Sequence, residues 1–520
     1  MTNLEKLEKK EIDRRTFLKY TGTGAVALSS GSFLKGFARE AFAAEEGLTI
    51  AFTTDIPSWD AMNSVFPTVQ SPWKCVFDQF TTQEPNLKII PEVFRDYGYT
   101  DKAKLRFEAD IQKGIKFHNG DELTAEDVKF SFDRMKSEGM VLQFIWGAIE
   151  ETKVTGKYSI RCELSKPFPS LIAWLCFLGS YVYPKKYFES VGLEGFLRKP
   201  VGSGPYTVAE YIKGSHLKLT AFKDYWRGPA KIERATFKFV TEPTSRVAEI
   251  ESGSSDLTLE VPVEEFVRLG KNPNLKTVAQ PVSDVVHFFV NDIEPMLDDR
   301  VRVATSLAID RKAIVKYVLQ DMGVPLYGLN CAEYLAYNPD LYIPYDPITA
   351  ERLLSAAGYS KDNPVKFTVQ TTNGFVAKDF EVVQAVVGMW KKVGIDAKIE
   401  VYDIAKHYEL RAADQLAPVA FYVWGNATGD PENSTGHTMF GPSPHSTWDT
   451  EDVDALLGPL LSEGDEEKRM ELYKSAEWYI VNHGMVIPLY QRKMPLVYKK
   501  NLKLTPYANN WILPYYMEWA

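Results

Sequence analysis

Between Asp379 and Val401 the hydrophobic period changes once, and that change constrains the fold more than any other feature. Phe380, Val383, Val387 and Trp390 recur at helical spacing, Gly394 interrupts, and Ile395, Ala397, Ile399 and Val401 then alternate with Asp396, Lys398 and Glu400. A period of 3.6 that runs through a glycine stop into a period of 2 predicts a helix feeding a half-buried strand. The same alternation recurs elsewhere. Thr124-Ala125-Glu126-Asp127 is a capping-box variant, opening a helix whose apolar face is Val128, Phe132 and Met135. Thr349 is expected to cap a helix over 350–357, with Gly358 closing it. Alternating strands and helices imply α/β layers, helices packed on mixed sheets. At 520 residues the chain exceeds one ordinary domain. It has no fixed-period repeat and no low-complexity linker. Lobes joined by short crossings are therefore expected, the construction of hinged ligand traps.

The N-terminus carries Asp13-Arg14-Arg15-Thr16-Phe17-Leu18-Lys19, then a weakly apolar stretch from Tyr20 to Phe37, then Ala41-Phe42-Ala43-Ala44. Paired arginines, a modest apolar region and an A-x-A site read as a bacterial twin-arginine signal over residues 1–44. Gly22, Gly24, Gly31 and Gly36 argue against an amphipathic surface helix. No cysteine stands at the expected cleavage site after Ala43 or Ala44, which disfavours a lipid anchor. A soluble periplasmic product is expected. The leader carries eight basic and five acidic residues, so the remainder is −12 where the whole chain is −9. An acidic chain of this kind makes a poor nucleic-acid binder.

Cys75, Cys162, Cys176 and Cys331 form no CxxC pair and match no zinc, haem or iron–sulfur spacing. Cys162 falls on the apolar side of an alternating run and reads as a buried thiol; sequence alone assigns no disulfide. Enzyme signatures are absent as well: no GxSxG, HExxH or GxxxxGK[S/T] occurs. Neither a catalytic residue nor a cofactor nor a metal ligand set is assigned. His437 and His445 flank a Gly/Pro/Ser-rich loop, but a separation of eight fixes no coordination geometry. The competing reading is a twin-arginine-exported oxidoreductase or metal-binding protein.

Several segments recur in a telling order. Lys113-Gly114-Ile115-Lys116-Phe117-His118-Asn119-Gly120-Asp121 leads into the capped helix, followed by Lys166-Pro167-Phe168-Pro169, Val201-Gly202-Ser203-Gly204-Pro205-Tyr206 and Tyr225-Trp226. Then come Asp299-Arg300-Val301-Arg302, Ala308-Ile309-Asp310-Arg311, Leu353 through Tyr359, and Trp424 through Pro431. Together they resemble the extracytoplasmic solute-binding proteins of family 5, the peptide/nickel/opine class of ABC importers. The resemblance implies a type II periplasmic binding protein: two α/β lobes joined by hinge strands, with a subdomain inserted in lobe I. Lobe I would span 45–285 and 489–520 with the insert at about 80–200, and lobe II 286–488. Crossings are expected near Val286–Asn291 and Pro488–Tyr490. The implied protein is a monomer that captures a small solute or short peptide and meets ABC permease and ATPase subunits transiently.

The ligand is expected at Trp424, Gly425, Asn426, Ala427 and Asp430, after the apolar run Val419–Val423. Glycine lets backbone approach a ligand and Trp424 offers a stacking face. Thr54, Asp55 and Trp59 are the candidates on lobe I, and Asn373 joins them from lobe II. Peptide-binding relatives place an aspartate shortly after the loop tryptophan and dipeptide-type relatives an arginine near position 373. Here Gly425, Asn426 and Ala427 follow Trp424, and position 373 is Asn. That favours a polar ligand other than a short zwitterionic peptide, such as an oligosaccharide or opine-like conjugate, unless Asp430 supplies the missing acid. His118, beside the Asn119-Gly120 turn, is expected to be structural.

Overall fold

A computed structural model describes residues 47–64 and 66–520; the segment 1–44, read from the sequence as a twin-arginine leader, lies outside the described residues. Eleven strands hydrogen-bond into one sheet. Its order runs from Ile395–Val401 through Val365–Thr371, Val419–Gly425, Leu275–Val290 and Val486–Lys499. It continues through Leu257–Leu259, Leu48–Phe52, Arg234–Phe239 and His216–Ala221 to Tyr206–Ile212, and Gly323–Pro325 pairs beside Val486–Lys499. Each half of the sheet has a parallel set, Leu48–Phe52 with its two neighbours and Val365–Thr371 with both of its own, while Arg234–Phe239, His216–Ala221 and Tyr206–Ile212 pair antiparallel at one end. The two long central strands are antiparallel to each other.

Two hydrophobic cores lie along this sheet and define two lobes. One gathers Ile50, Phe52, Phe77, Phe237, Leu257 and Leu496. The other gathers Val286, Phe288, Val369, Trp390, Phe421 and Ile487. The long strands serve both. Along Leu275–Val290 the inward side chains change core between Val282 and Val286, where the register also slips between Pro281 and Val285. Along Val486–Lys499 the change comes between Tyr490 and Met494. A separate antiparallel sheet of Phe94–Tyr99, Arg106–Ile111, Ser159–Leu164 and Ile149–Gly156 packs into the first core.

Local expectations hold where a side chain has one dominant partner. The Thr124–Asp127 capping box forms, and Val128, Phe132 and Met135 are buried beneath Ala125–Met135. Gly394 adopts φ 96° and ends the helix Asp379–Val393. The apolar stripe of that helix is centred on Val383 and Val386, leaving Phe380 and Val387 half-buried at its flanks. Thr349 is not the cap expected of it. The helix begins at Pro347, and the Asp346 carboxylate accepts the Thr349 N–H at 2.9 Å. Proline at the first turn needs no donor and brings the start forward, and aspartate then supplies the acceptor. All four cysteines are buried free thiols.

Candidate functional site

The strand Val419–Gly425 delivers Trp424 and the loop after it to the boundary between the two cores. Trp424 is partly exposed. Its Nε1 donates to the Asn433 carbonyl at 2.5 Å, the Arg411 guanidinium lies 5.2 Å from its ring centre, and His445 meets it edge-on at 5.7 Å. Gly425 is exposed; a Cβ there would lie 3.0 Å from Asp284 Oδ1. Asn426 is fully buried and organises the loop. Its Nδ2 donates to the Asp430 carbonyl at 2.8 Å, and its Oδ1 accepts from Thr428 Oγ1 at 2.5 Å and from Gly429 N and Asn433 Nδ2 at 3.2 Å. Ala427 packs into the lobe I core, and its carbonyl accepts from Gln83 Nε2 at 2.7 Å. Asn509 Nδ2 in turn donates to Gln83 Oε1 at 2.9 Å. The loop is thus rigid at its back and joined to the other lobe at its tip.

Asp430 is committed internally. Arg469, 2% exposed along its side chain, donates to both Asp430 oxygens at 2.8 Å and to Glu432 Oε2 at 3.1 Å. Burial and the adjacent Asp430 charge push the Glu432 carboxyl up to about 7. Buried and already neutralised by a bidentate arginine, Asp430 offers a ligand's ammonium group less than a free carboxylate would.

The lobe I candidates divide differently. The Asp55 carboxylate accepts from Gly214 N at 2.7 Å, Ile56 N at 2.7 Å and Tyr211 Oη at 3.1 Å, which ties the first strand's loop to a neighbouring hairpin. Trp59 is buried in the core against Tyr211 and Phe77. Thr54 is half-buried, and its hydroxyl reaches only the Asp55 carbonyl, at 3.4 Å. Asn373, by contrast, is exposed and lines a cavity of about 420 Å³ between the lobes, together with Glu260, Phe375, Lys378, Tyr490 and Arg492. Asp379 shapes that wall by accepting from Gly374 N, Phe375 N and Thr372 Oγ1 at 2.7–3.0 Å. A second cavity of about 390 Å³ opens between the lobes beside Leu87, Tyr99, Glu333, Gly429 and Arg469.

Sequence reasoning missed the residues between these walls. On the long strands, Arg492 Nη1 donates to Asp284 Oδ2 at 2.8 Å, while its Nη2 lies 3.7 Å from Glu260 Oε1. Burial raises the Asp284 carboxyl, and Arg492 opposes the rise. Gln83 stands 344 residues from its partner Ala427, a pairing with no local signal. Among the described residues no group of three or more His, Cys, Asp or Glu comes together to hold a metal ion. His437 and His445 have ring centres 6.1 Å apart, and burial lowers both to about 4.

The loudest motif has a structural explanation. His118 Nε2 bonds the Gly204 carbonyl at 2.9 Å, and the Gly202 N–H reaches His118 Nδ1 at 3.4 Å. A Cβ on Gly202 would lie 2.0 Å from the Val76 carbonyl oxygen, and one on Gly204 2.6 Å from the Val76 carbonyl carbon. Glycine stands there because backbone meets backbone.

The comparisons with known proteins agree with this architecture. The chain is 26% identical over 431 residues to heme-binding protein A of Haemophilus influenzae, covering 77% of this chain and 78% of the relative. It is 27% identical over 428 residues to the dipeptide-binding protein of Escherichia coli K12, covering 75% and 78%. Among solved structures, HbpA2 from Haemophilus parasuis superposes with a TM-score of 0.80 at 21% identity, covering 91% of this chain and 99% of that one. NikZ from Campylobacter jejuni, in complex with Ni(L-His), gives 0.77 at 20%, covering 91% and 99%. The model of the bacterial extracellular solute-binding proteins, family 5 Middle, matches residues 88–444. That match takes in well over half of the chain, and the protein belongs to the family 5 extracellular solute-binding proteins.

Proposed function

We propose that the chain is the substrate-binding component of an ABC importer, a trap that performs no chemistry of its own and delivers a small polar solute to a permease. The observation that carries this reading is the loop 426–430, held rigid within lobe II while Ala427 docks on Gln83 of lobe I. A contact made only when two lobes meet is the kind of interaction that a bound solute can reinforce. The lobe limits are 45–285, 286–488 and 489–520; the change of core along the long strands, between Val282 and Val286 and between Tyr490 and Met494, supports them. Trp424, Gly425 and Asn373 face the solute. Asn426 and Asp430 hold the loop, and Thr54, Asp55 and Trp59 support the opposite wall.

The relatives named for dipeptide and glutathione binding make peptides the natural comparison. The commitment of Asp430 to Arg469 supports a solute whose recognition does not depend on a free amino terminus. Arg14 and Arg15 support export by the twin-arginine route, and the lack of a cysteine at the expected cleavage site supports a soluble periplasmic form without a lipid anchor; replacing both arginines with Lys should retain the precursor in the cytoplasm. The test of function is small-angle scattering of the mature protein with di- to pentapeptides, glutathione, oligosaccharides, opines, hemin and Ni(L-His). One class should contract the protein at micromolar concentration. Contraction by none, with no solute co-purifying by native mass spectrometry, would refute the trap.

A further inference from the structure

One half-buried arginine near the Trp424 loop stands apart from the rest. Arg469 pairs with Asp430 and Glu432. Arg492 pairs with Asp284. Arg302 and Arg311 donate to backbone carbonyls at 2.6–3.4 Å. Arg411, on the helix Ile404–Ala412, has a single polar contact: Nη1 donates to Tyr422 Oη at 2.5 Å. Its Nε and Nη2 are buried and find no acceptor, and no carboxylate pairs with it among the described residues. The guanidinium instead lies over aromatic rings, 4.9 Å from Tyr422, 5.2 Å from Trp424 and 5.9 Å from Phe289.

Ring faces partly compensate a desolvated guanidinium, but they leave its outward N–H donors unmade. Buried charges in folded proteins are paired or hydrogen-bonded, and an unpaired one destabilises the fold that holds it. Among the described residues no carboxylate pairs with Arg411; the nearby Asp430, whose charge acts on His437, is taken up by Arg469. His445 stands beside the same tryptophan and His437 beside His445, and their ring nitrogens make no hydrogen bond among the described residues. Both are kept neutral by burial, with Arg411 adding to the effect, so each keeps one N–H to donate and adds no competing charge. Trp174, from the first core, lies tilted against His437 at 6.0 Å, so this cluster also spans the lobe boundary.

We propose that Arg411 is an anion-recognition residue of the ligand site, and that the solute carries a carboxylate or phosphate which reaches it beside Trp424. The inference rests on the solute-trap reading and adds the charge of the cargo. An acid at this point supplies the acceptors that Nε and Nη2 lack, and the neutral imidazoles of His437 and His445 offer further donors.

The test pairs acids with neutral twins: gluconate and glucose 6-phosphate against glucose, and N-acetyl-dialanine against its C-terminal amide. Isothermal titration of the mature protein should show at least one acid binding about 30-fold or more tightly than its twin, the loss expected when one partner of a buried charge pair is removed. The sugar arm tells carboxylate from phosphate. Arg411→Gln should abolish that preference, and Arg411→Lys should restore part of it. The ligand-free melting temperature of Arg411→Gln should stay level or rise, since a charge with two buried, unsatisfied donors has gone; a purely structural arginine would lower it. The proposal is overturned if no acid exceeds its twin, including the case where none binds, or if Arg411→Gln keeps the preference. A neutral solute that still contracts the protein in scattering would sink the anion inference and leave the trap standing.

Discussion

The Lys113–Gly204 signature in lobe I and the Trp424–Ser434 loop in lobe II are both rich in glycine and polar residues, yet they use them oppositely. In the first, His118 and the paired glycines are satisfied within one lobe, and the glycines stand where backbone crosses backbone. In the second, the interior residues Asn426, Thr428 and Asp430 are equally satisfied, but Trp424 and Gly425 remain partly open and Ala427 reaches the other lobe. A conspicuous motif therefore marks rigidity in one place and presentation in the other. What separates them is where the polar groups spend their hydrogen bonds.

That contrast can be broken by substitution. The largest effect should come from Asp430→Ala, which leaves Arg469 buried beside Glu432 alone; a loss of about 3–5 kcal/mol in chemical denaturation is expected. A change below about 1 kcal/mol would mean that the pair is dispensable to the loop. Gly204→Ala should follow at about 3 kcal/mol, because the new methyl overlaps the Val76 and Phe77 backbone. Whatever fraction folds should bind solute as the parent does, and weakened binding at unchanged stability would move the signature into the site.

Glu477 sharpens the comparison through pH. Its Oε1 accepts from the Leu329 and Asn330 N–H groups, its Oε2 is buried without a partner, and desolvation raises the carboxyl to about 7 from an ordinary 4.5. A raised folded-state value means the stabilisation is complete below about 4.5 and is lost as pH rises through about 7. Glu477→Gln should therefore raise the melting temperature at pH 8, by up to about 3 kcal/mol of stability, and change it little at pH 4.5. A pH-independent effect would place the cause in packing. The smallest effect on folding belongs to Trp424→Ala, which should weaken solute binding by about 1–3 kcal/mol. An equal loss of ligand-free stability would mark Trp424 as core, and an unchanged dissociation constant would remove it from the site.

Local chemistry was legible wherever it depended on near neighbours. The capping box at Thr124, the glycine stop at Gly394, the helix-to-strand change after Asp379 and the buried Cys162 thiol all follow from side chains a few residues apart. Family membership was legible too, through the order of motifs along the chain. The helix start at Pro347 was a near miss, because Thr349 and Asp346 compete for the same role and only the backbone path chooses between them.

The partnerships that decide function were not legible. Asp430 reads as a free loop acid until Arg469, 39 residues on, is folded against it. Gln83 meets Ala427 across 344 positions, and Arg411 reveals its missing acceptor only once Tyr422, Phe289 and Trp424 surround it. By itself the sequence determined the periodicity and the caps, because these rest on sterics and hydrogen bonds within a turn or two. Tertiary structure alone decided which charges are paired, since desolvation and pairing depend on what the fold brings within a few ångströms.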